Sequence, residues 1–195
     1  GGGGAKKWPP PGCVVYSFGS NWQFSFERAA AVQGCEVHTF DPTMTGFKGS
    51  DDDLSLRREF NISFHDLGLG TEADGSVCRG LSRSTTCEAL PSIMSRLGHQ
   101  SLTVVKVDVE GAEWAALGEQ TTVDVLKNRA QQFVIEFHLD RIDEHKGIAI
   151  LKRLREAGLV LWNWDSNAHG KKFFVKWNGI HFPNPVEASY LAPGV

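Results

Sequence analysis

The chain has four cysteines but no CxxC pair and no cysteine–histidine alternation, which argues against a structural zinc ribbon or finger. No apolar run approaches the roughly 20 residues that span a bilayer, and the opening GGGGAKKWPPPG lacks the apolar core of a signal peptide. Charge of one sign is scarce: 20 Lys and Arg stand against 23 Asp and Glu, a net charge of −3. There is accordingly no broad basic field to attract nucleic acid or an anionic membrane surface. No G-x-G-x-x-G follows a strand-like segment, so a dinucleotide dehydrogenase is not indicated. Internal repeats are not evident either.

What the sequence does have is material for a core. At 195 residues, 41% hydrophobic and 22% charged, it suits one globular domain. Residues 1–12, glycine-rich and then proline-rich, read as a linker-like segment, 13–178 as the domain, and 179–195 as proline-punctuated coil packing on it. Cys13 and Cys35 open apolar runs and read as buried small hydrophobes. Cys78 and Cys87 flank a polar loop that they could close in an oxidising compartment. The compartment stays open between the secretory pathway and the cytoplasm, and the oligomeric state is unknown.

Apolar, β-branched-rich segments at 13–18, 35–40, 62–65, 102–109, 132–138, 159–164 and 173–177 predict seven strands. Helical patterning fills 24–33, 54–60, 90–97, 112–127 and 147–157, the last capped by Gly158. The near-continuous apolar run at 102–109 marks a central parallel strand covered on both faces. Alternation of this kind predicts an α/β domain, a doubly wound and mostly parallel seven-stranded sheet with helices on both faces. Such sheets bind ligands beyond the C-terminal ends of their strands. The aromatics Trp162, Trp164, Phe173, Phe174 and Trp177 alternate along two strands and read as core.

Polar residues collect at those ends: Ser17, Gly19 and Ser20 after the first strand, Asp41 after the second, Asp66 after the third, Asp108 and Glu110 after the fourth, Glu136 and His138 at the fifth. Gly19, the lone glycine of the first turn, lets backbone approach a ligand. Asp41 stands where ribose hydroxyls of a nucleotide-like ligand would lie. His138, with an ordinary pKa near 6.5, is the general-base candidate, and Glu136 and Asp108 would orient it or hold the acceptor. Each also has a plainer explanation. Asp41 before Pro42 is a turn initiator, Asp66 a helix cap, and Glu110 a favourable charge at a helix start.

The segments VYSFGSNWQFSFE, GCEVHTFDPT, ISFHDLGLGTEADG, VVKVDVEGAEWAAL and FVIEFHL resemble the class I S-adenosylmethionine-dependent methyltransferases, closest to the FkbM-like group and related methyltransferase-like domains. The resemblance runs from Cys13 to about Trp177, and its most specific part is VKVDVEGAEW. It implies a Rossmann-like methyltransferase fold with an antiparallel last strand and S-adenosylmethionine as cofactor. Phe18, Gly19 and Ser20 would then surround the methionine part, Asp41 the ribose, Asp66 and Leu67 the adenine, and Asp108 the amine or the acceptor. The implied reaction is methyl transfer to an oxygen of a small-molecule or glycan-like acceptor. The first turn holds one glycine where this superfamily has several, which keeps a second reading open: a catalytically inactive S-adenosylmethionine-binding or interaction domain. No metal site is assigned; a divalent ion among Asp108, Glu110, Glu136 and His138 ranks behind the metal-free reading.

Overall fold

The computed structural model describes residues 9–71, 86–166 and 173–195. Strands β1 (Val14–Phe18), β2 (Glu36–Phe40), β3 (Ile62–His65), β6 (Leu102–Val107), β7 (Ala130–Phe137), β8 (Val160–Ser166) and β11 (Val186–Leu191) form a seven-stranded sheet in the order β3-β2-β1-β6-β7-β11-β8. Neighbours from β3 to β7 pair in parallel, whereas β11 runs antiparallel to both β7 and β8. Two short sheets complete the described strands: β4 (Gly68–Leu69) with β5 (Cys87–Glu88), and β9 (Phe173–Trp177) with β10 (Ile180–Asn184).

Side-chain alternation along β1 splits the core into two layers. Val14, Tyr16 and Phe18 pack with α3 (Leu90–Leu97), α4 (Glu113–Gly118), α5 (Gln120–Asn128) and α6 (Glu144–Glu156). Val15 faces the other way, toward Val37, Ile62, Val104, Leu56 just past the short helix α2 (Asp51–Ser55), and the partly buried side of α1 (Ser25–Val32). Covered on both faces, a central strand gains nothing from polar alternation, and β1 is buried at every position. Local signals end the helices: Pro91 lies in the first turn of α3 with Gly98 as its left-handed cap (φ 77°), and Asp143 caps α6 by accepting from Lys146 N–H. Among the described residues no helix is long and apolar enough to cross a membrane.

Four expectations are corrected. The seventh strand is β11, not 173–177, and most of the expected coil 179–195 is β10 and β11. β11 was missed because Pro185 and Pro193 bracket it and its own residues, VEASYL, carry a charge and a serine. The expected helix 112–127 is two helices, because the chain turns extended at Glu119 (ψ 127°) directly after Gly118. Trp162, Trp164 and Phe174 are exposed rather than core, and of the same aromatic set Trp177 is buried; the side chain of Phe173 lies outside the described residues. Cys13 and Cys35 are joined by a disulfide that ties the start of β1 to the start of β2. Cys87 is disulfide-bonded too, while Cys78 and residues 1–8 of the linker-like segment lie outside the described residues.

Candidate active site

The chain winds β1, β2, β3 in one direction and then β6, β7 in the other, so the order reverses between β1 and β6. In doubly wound sheets that reversal opens a crevice past the strand ends. A cavity of about 840 Å³ lies there, bordered by the segments 19–21 after β1, 41–43 after β2, 68–70 at β4 and 108–112 after β6. Backbone strain gathers at the same loops. Asn21 (φ 43°), Trp22 (φ 63°) and Glu110 (φ 54°) all adopt the left-handed region, a conformation that costs non-glycine residues about 1–2 kcal/mol.

Of the sequence-predicted residues, Gly19, Ser20, Asp41 and Asp108 line this cavity. Phe18 does not; it is fully buried and stacked on Phe40 at 4.6 Å. Asp66 is exposed and Leu67 lies in the core, and neither borders the cavity, whereas the next residues, Gly68 to Gly70, do. Glu136 and His138 stand behind the wall, reaching it through Glu110.

Gly19 has a role other than the expected one. At φ 82° a Cβ there would sit 1.7 Å from the carbonyl oxygen of Asp108, so what needs the glycine is the approach of two strand ends, with Gly19 N–H donating to Phe40 O at 2.9 Å. Asp41 is likewise engaged. Its Oδ2 accepts from the N–H groups of Ser20 (3.0 Å) and Asn21 (2.8 Å), its Oδ1 from the N–H (2.9 Å) and hydroxyl (2.6 Å) of Thr43. A carboxylate has about four acceptor sites, and all are taken. Asp41 therefore shapes the first turn and has no lone pair to spare for a ribose.

His138 sits at the centre of a carboxylate cluster. Glu113 Oε1 accepts from its backbone N–H at 2.9 Å and lies 3.1 Å from Nδ1, while Nε2 lies 3.3 Å from both Glu110 and Glu136. Burial by itself pulls the ring's pKa down, but hydrogen bonds to Glu113 and Glu136 and the charges of Glu113 and Glu110 outweigh it, pushing the pKa up to about 10. A ring protonated throughout the neutral range cannot accept a proton there, which corrects the general-base expectation for His138. Asp108 shifts in the useful direction: burial first, then the charge of Glu136, push its carboxyl up to about 6 against the opposing pull of Lys106. Asp108, Glu110 and His138 each offer a ligand atom, all within 4.8 Å. An imidazolium donating from both nitrogens has no lone pair for a cation, so the proton and an ion would compete for this cluster.

Several site residues escaped the sequence reading. Lys106 donates to Gly19 O at 2.9 Å and lies 4.0 Å from Asp108 Oδ2, bridging the two strand ends; its charge inside VVKV was the available signal. Glu113 is fully buried and its Oε2 accepts from Gly111 N–H at 2.7 Å. Glu187 lines the cavity from β11, in the segment read as coil. Glu27 also lines it from α1; its Oε1 accepts from the Ser17 hydroxyl at 2.6 Å, and its buried Oε2 has no partner among the described residues.

A family model described as a methyltransferase domain matches residues 6–175. The chain belongs to that family. Two relatives, both called "Probable methyltransferase-like protein 24", are similar over 128 residues: the human protein at 29% identity and the rat protein at 31%, each match covering 65% of this chain and 33% of the relative. The chain thus spans about a third of the length of the curated relatives it matches. Among solved structures, that of the bifunctional kinase-methyltransferase WbdD resembles 93% of this chain, and 35% of its own, at a TM-score of 0.52 and 10% identity. At that identity the likeness shows the fold, and the fold is the Rossmann-like one of methyltransferases.

Proposed function

We propose that the cleft binds S-adenosylmethionine and that the domain transfers its methyl group to an oxygen of a small-molecule or glycan-like acceptor. The observation that carries the reading is the orphaned Oε2 of Glu27, a buried acceptor on a cavity-lining residue with no hydrogen-bond partner among the described residues. Buried polar atoms in folded proteins are satisfied, and an α-ammonium such as that of a methionine moiety satisfies this one. The wider lining agrees: Glu27, Asp41, Asp108, Glu110 and Glu187 face Lys106 and Arg141, an acidic excess suited to a ligand carrying a sulfonium and an ammonium. The volume of about 840 Å³ accommodates a donor with an acceptor beside it.

When bound, S-adenosylmethionine supplies a methyl carbon already activated by its sulfonium, so the chain's work is alignment, exclusion of water and removal of the acceptor's proton. Asp108 is the base in this reading. With a carboxyl pKa near 6 it is ionised at neutral pH and more basic than an ordinary carboxylate. His138 acts as a positioning residue, an imidazolium that holds Glu110 and Glu136 in place. Asp41 orders the Ser20–Asn21 turn, and the adenine side of the site moves from Asp66 and Leu67 to Gly68–Gly70. The finer grouping with FkbM-like domains rests on the VKVDVEGAEW segment. We also infer an oxidising compartment, because the Cys13–Cys35 disulfide persists only there.

A second reading has its own observation. Asp41 has no free lone pair, which weakens donor binding and favours an inactive S-adenosylmethionine-binding or interaction domain. Calorimetric titration with S-adenosylmethionine, followed by assay of S-adenosylhomocysteine over a panel of hydroxylated acceptors, separates the cases. Binding with turnover supports the proposal and binding without turnover supports the inactive domain. Absence of binding by folded protein overturns both.

A further inference from the structure

Outside the cleft, three histidines and a glutamate converge at the β2–β3 side of the sheet, and none of them lines the cavity. We propose that Glu36, His38 and His99 form a binding site for a divalent transition-metal ion of the zinc class. Glu36 opens β2 and His38 follows two residues later on the same face, while His99 comes directly after the Gly98 cap of α3. Oε1 of Glu36 lies 2.9 Å from Nε2 of His38 and 3.4 Å from Nε2 of His99, and the three ligand atoms all fall within 4.8 Å of one another. An ion held tetrahedrally at about 2.0–2.1 Å from nitrogen and oxygen spaces its ligands roughly 3.3 Å apart. The two carboxylate–imidazole distances already bracket that value.

The remote ring nitrogens supply a second, independent indication. Nδ1 of His38 lies 2.9 Å from Nε2 of His65, and Nδ1 of His99 lies 2.6 Å from the hydroxyl of Tyr16. Each imidazole is therefore gripped from behind while its Nε2 faces Glu36. That is the arrangement in which metal-binding histidines are oriented, their second nitrogen fixed by an outer partner. In the ligating tautomer His38 donates from Nδ1 to His65 and His99 donates from Nδ1 to the Tyr16 oxygen, leaving both Nε2 lone pairs free for an ion. The shelter is graded to match. The side chains of His38 and His99 are 8% and 14% exposed and that of Glu36 is 52% exposed, so an ion would be backed by protein and open to water on the carboxylate side. Two imidazoles with one carboxylate select zinc or its neighbours over the hard cations calcium and magnesium, which prefer oxygen ligands.

The test is metal uptake by tag-free protein stripped with chelator and dialysed. Zn²⁺ titrated against a chromophoric competitor is expected to bind at one equivalent with micromolar or tighter affinity, and Co²⁺ to give the visible absorption of a four-coordinate centre. Glu36→Gln and His99→Asn are each expected to weaken Zn²⁺ binding about tenfold or more. Glu36 is half exposed, so Glu36→Gln decides the matter even if His99→Asn disturbs folding. Glu110→Gln serves as the control for the carboxylate cluster of the cleft and is expected to leave this uptake unchanged. No uptake by the unaltered protein, uptake indifferent to Glu36→Gln, or uptake lost with Glu110→Gln would each overturn the proposal and leave a purely hydrogen-bonded cluster.

Discussion

Glu113 holds His138 twice, its Oε1 accepting from the backbone N–H at 2.9 Å and lying 3.1 Å from ring Nδ1. The same carboxylate reaches back through Oε2 to Gly111 N–H at 2.7 Å. One buried side chain thereby locks the turn after β6 to the end of β7, the two segments that carry Asp108 and Glu110 on one side and Glu136 on the other.

A first prediction follows from the charge of that ring. The folded pKa of His138, about 10, lies above the ordinary value of about 6.5. Its contribution to stability is therefore complete below pH ~6.5 and is lost as pH rises through the folded value. The urea midpoint should decline between pH 7 and 10, and His138→Asn should remove most of that slope. NMR should find no ring titration between pH 6 and 8; a ring titrating near 6.5 would refute the assignment. Glu113→Gln, which leaves the buried imidazolium short of a counter-charge, should cost about 3 kcal/mol.

Asp108 should show opposite effects on stability and activity. Its carboxyl is raised to about 6 by burial and by Glu136, so ionisation above that pH works against the fold, and stability is lost as pH climbs from about 4 to 6. Asp108→Asn should therefore melt higher than the unaltered chain at pH 7.5 and lose that advantage below pH 4. Turnover, which in the unaltered protein should rise through pH ~6 and level off, should fall about 100-fold or more. A variant that keeps its rate would remove Asp108 as the base.

Gly19 and Asp41 are expected to matter before any ligand arrives. Gly19→Ala places a Cβ on the Asp108 carbonyl and should cost about 3 kcal/mol or more. Asp41→Asn sets an amide where a carboxylate accepted from Ser20, Asn21 and Thr43, a loss of about 1–3 kcal/mol. Denaturant unfolding of the ligand-free variants measures both. Unchanged stability in either case would mean that these residues are poised for a ligand rather than for the turn.

Reduction of the Cys13–Cys35 bridge, which closes a sequence separation of 22, should lower stability by about 3 kcal/mol through the unfolded chain's added freedom. Paired Cys13→Ala and Cys35→Ala substitutions should reproduce the loss, and added reductant should then change nothing at that site. Modification of native protein by a thiol reagent at Cys13 would contradict the bridge.

The parallel half of the sheet was readable because buried strands and amphipathic helices each write their own period into the chain: β1, β2, β3, β6 and β7 all fall where apolar runs predicted them. An antiparallel last strand was implied by the family resemblance, but local pattern put it at 173–177 and not at β11. β11 inserts between β7 and β8 through long-range pairing that no local pattern encodes, and the apolar alternation of β8 marks an exposed strand instead of a core one. At the cleft, the strand ends singled out in the sequence put Gly19, Asp41 and Asp108 on the lining of the cavity. Residue type alone could not say that Asp41 is saturated by backbone donors, or that three glutamates around His138 turn an ordinary base into a fixed cation. Both outcomes depend on neighbours distant in sequence.

The position of β11 also bears on synthesis. Among the described residues β8 ends the sheet and pairs with β11 alone, yet it leaves the ribosome first, with Ser166 preceding Val186 in the chain. At about 5–20 residues per second, a nascent β8 waits on the order of seconds for its partner. Throughout that interval Trp162 and Trp164 lie on an unpaired strand, the kind of edge that captures another chain. Slow codons between these two strands would lengthen that window, and a holdase bound there would close it.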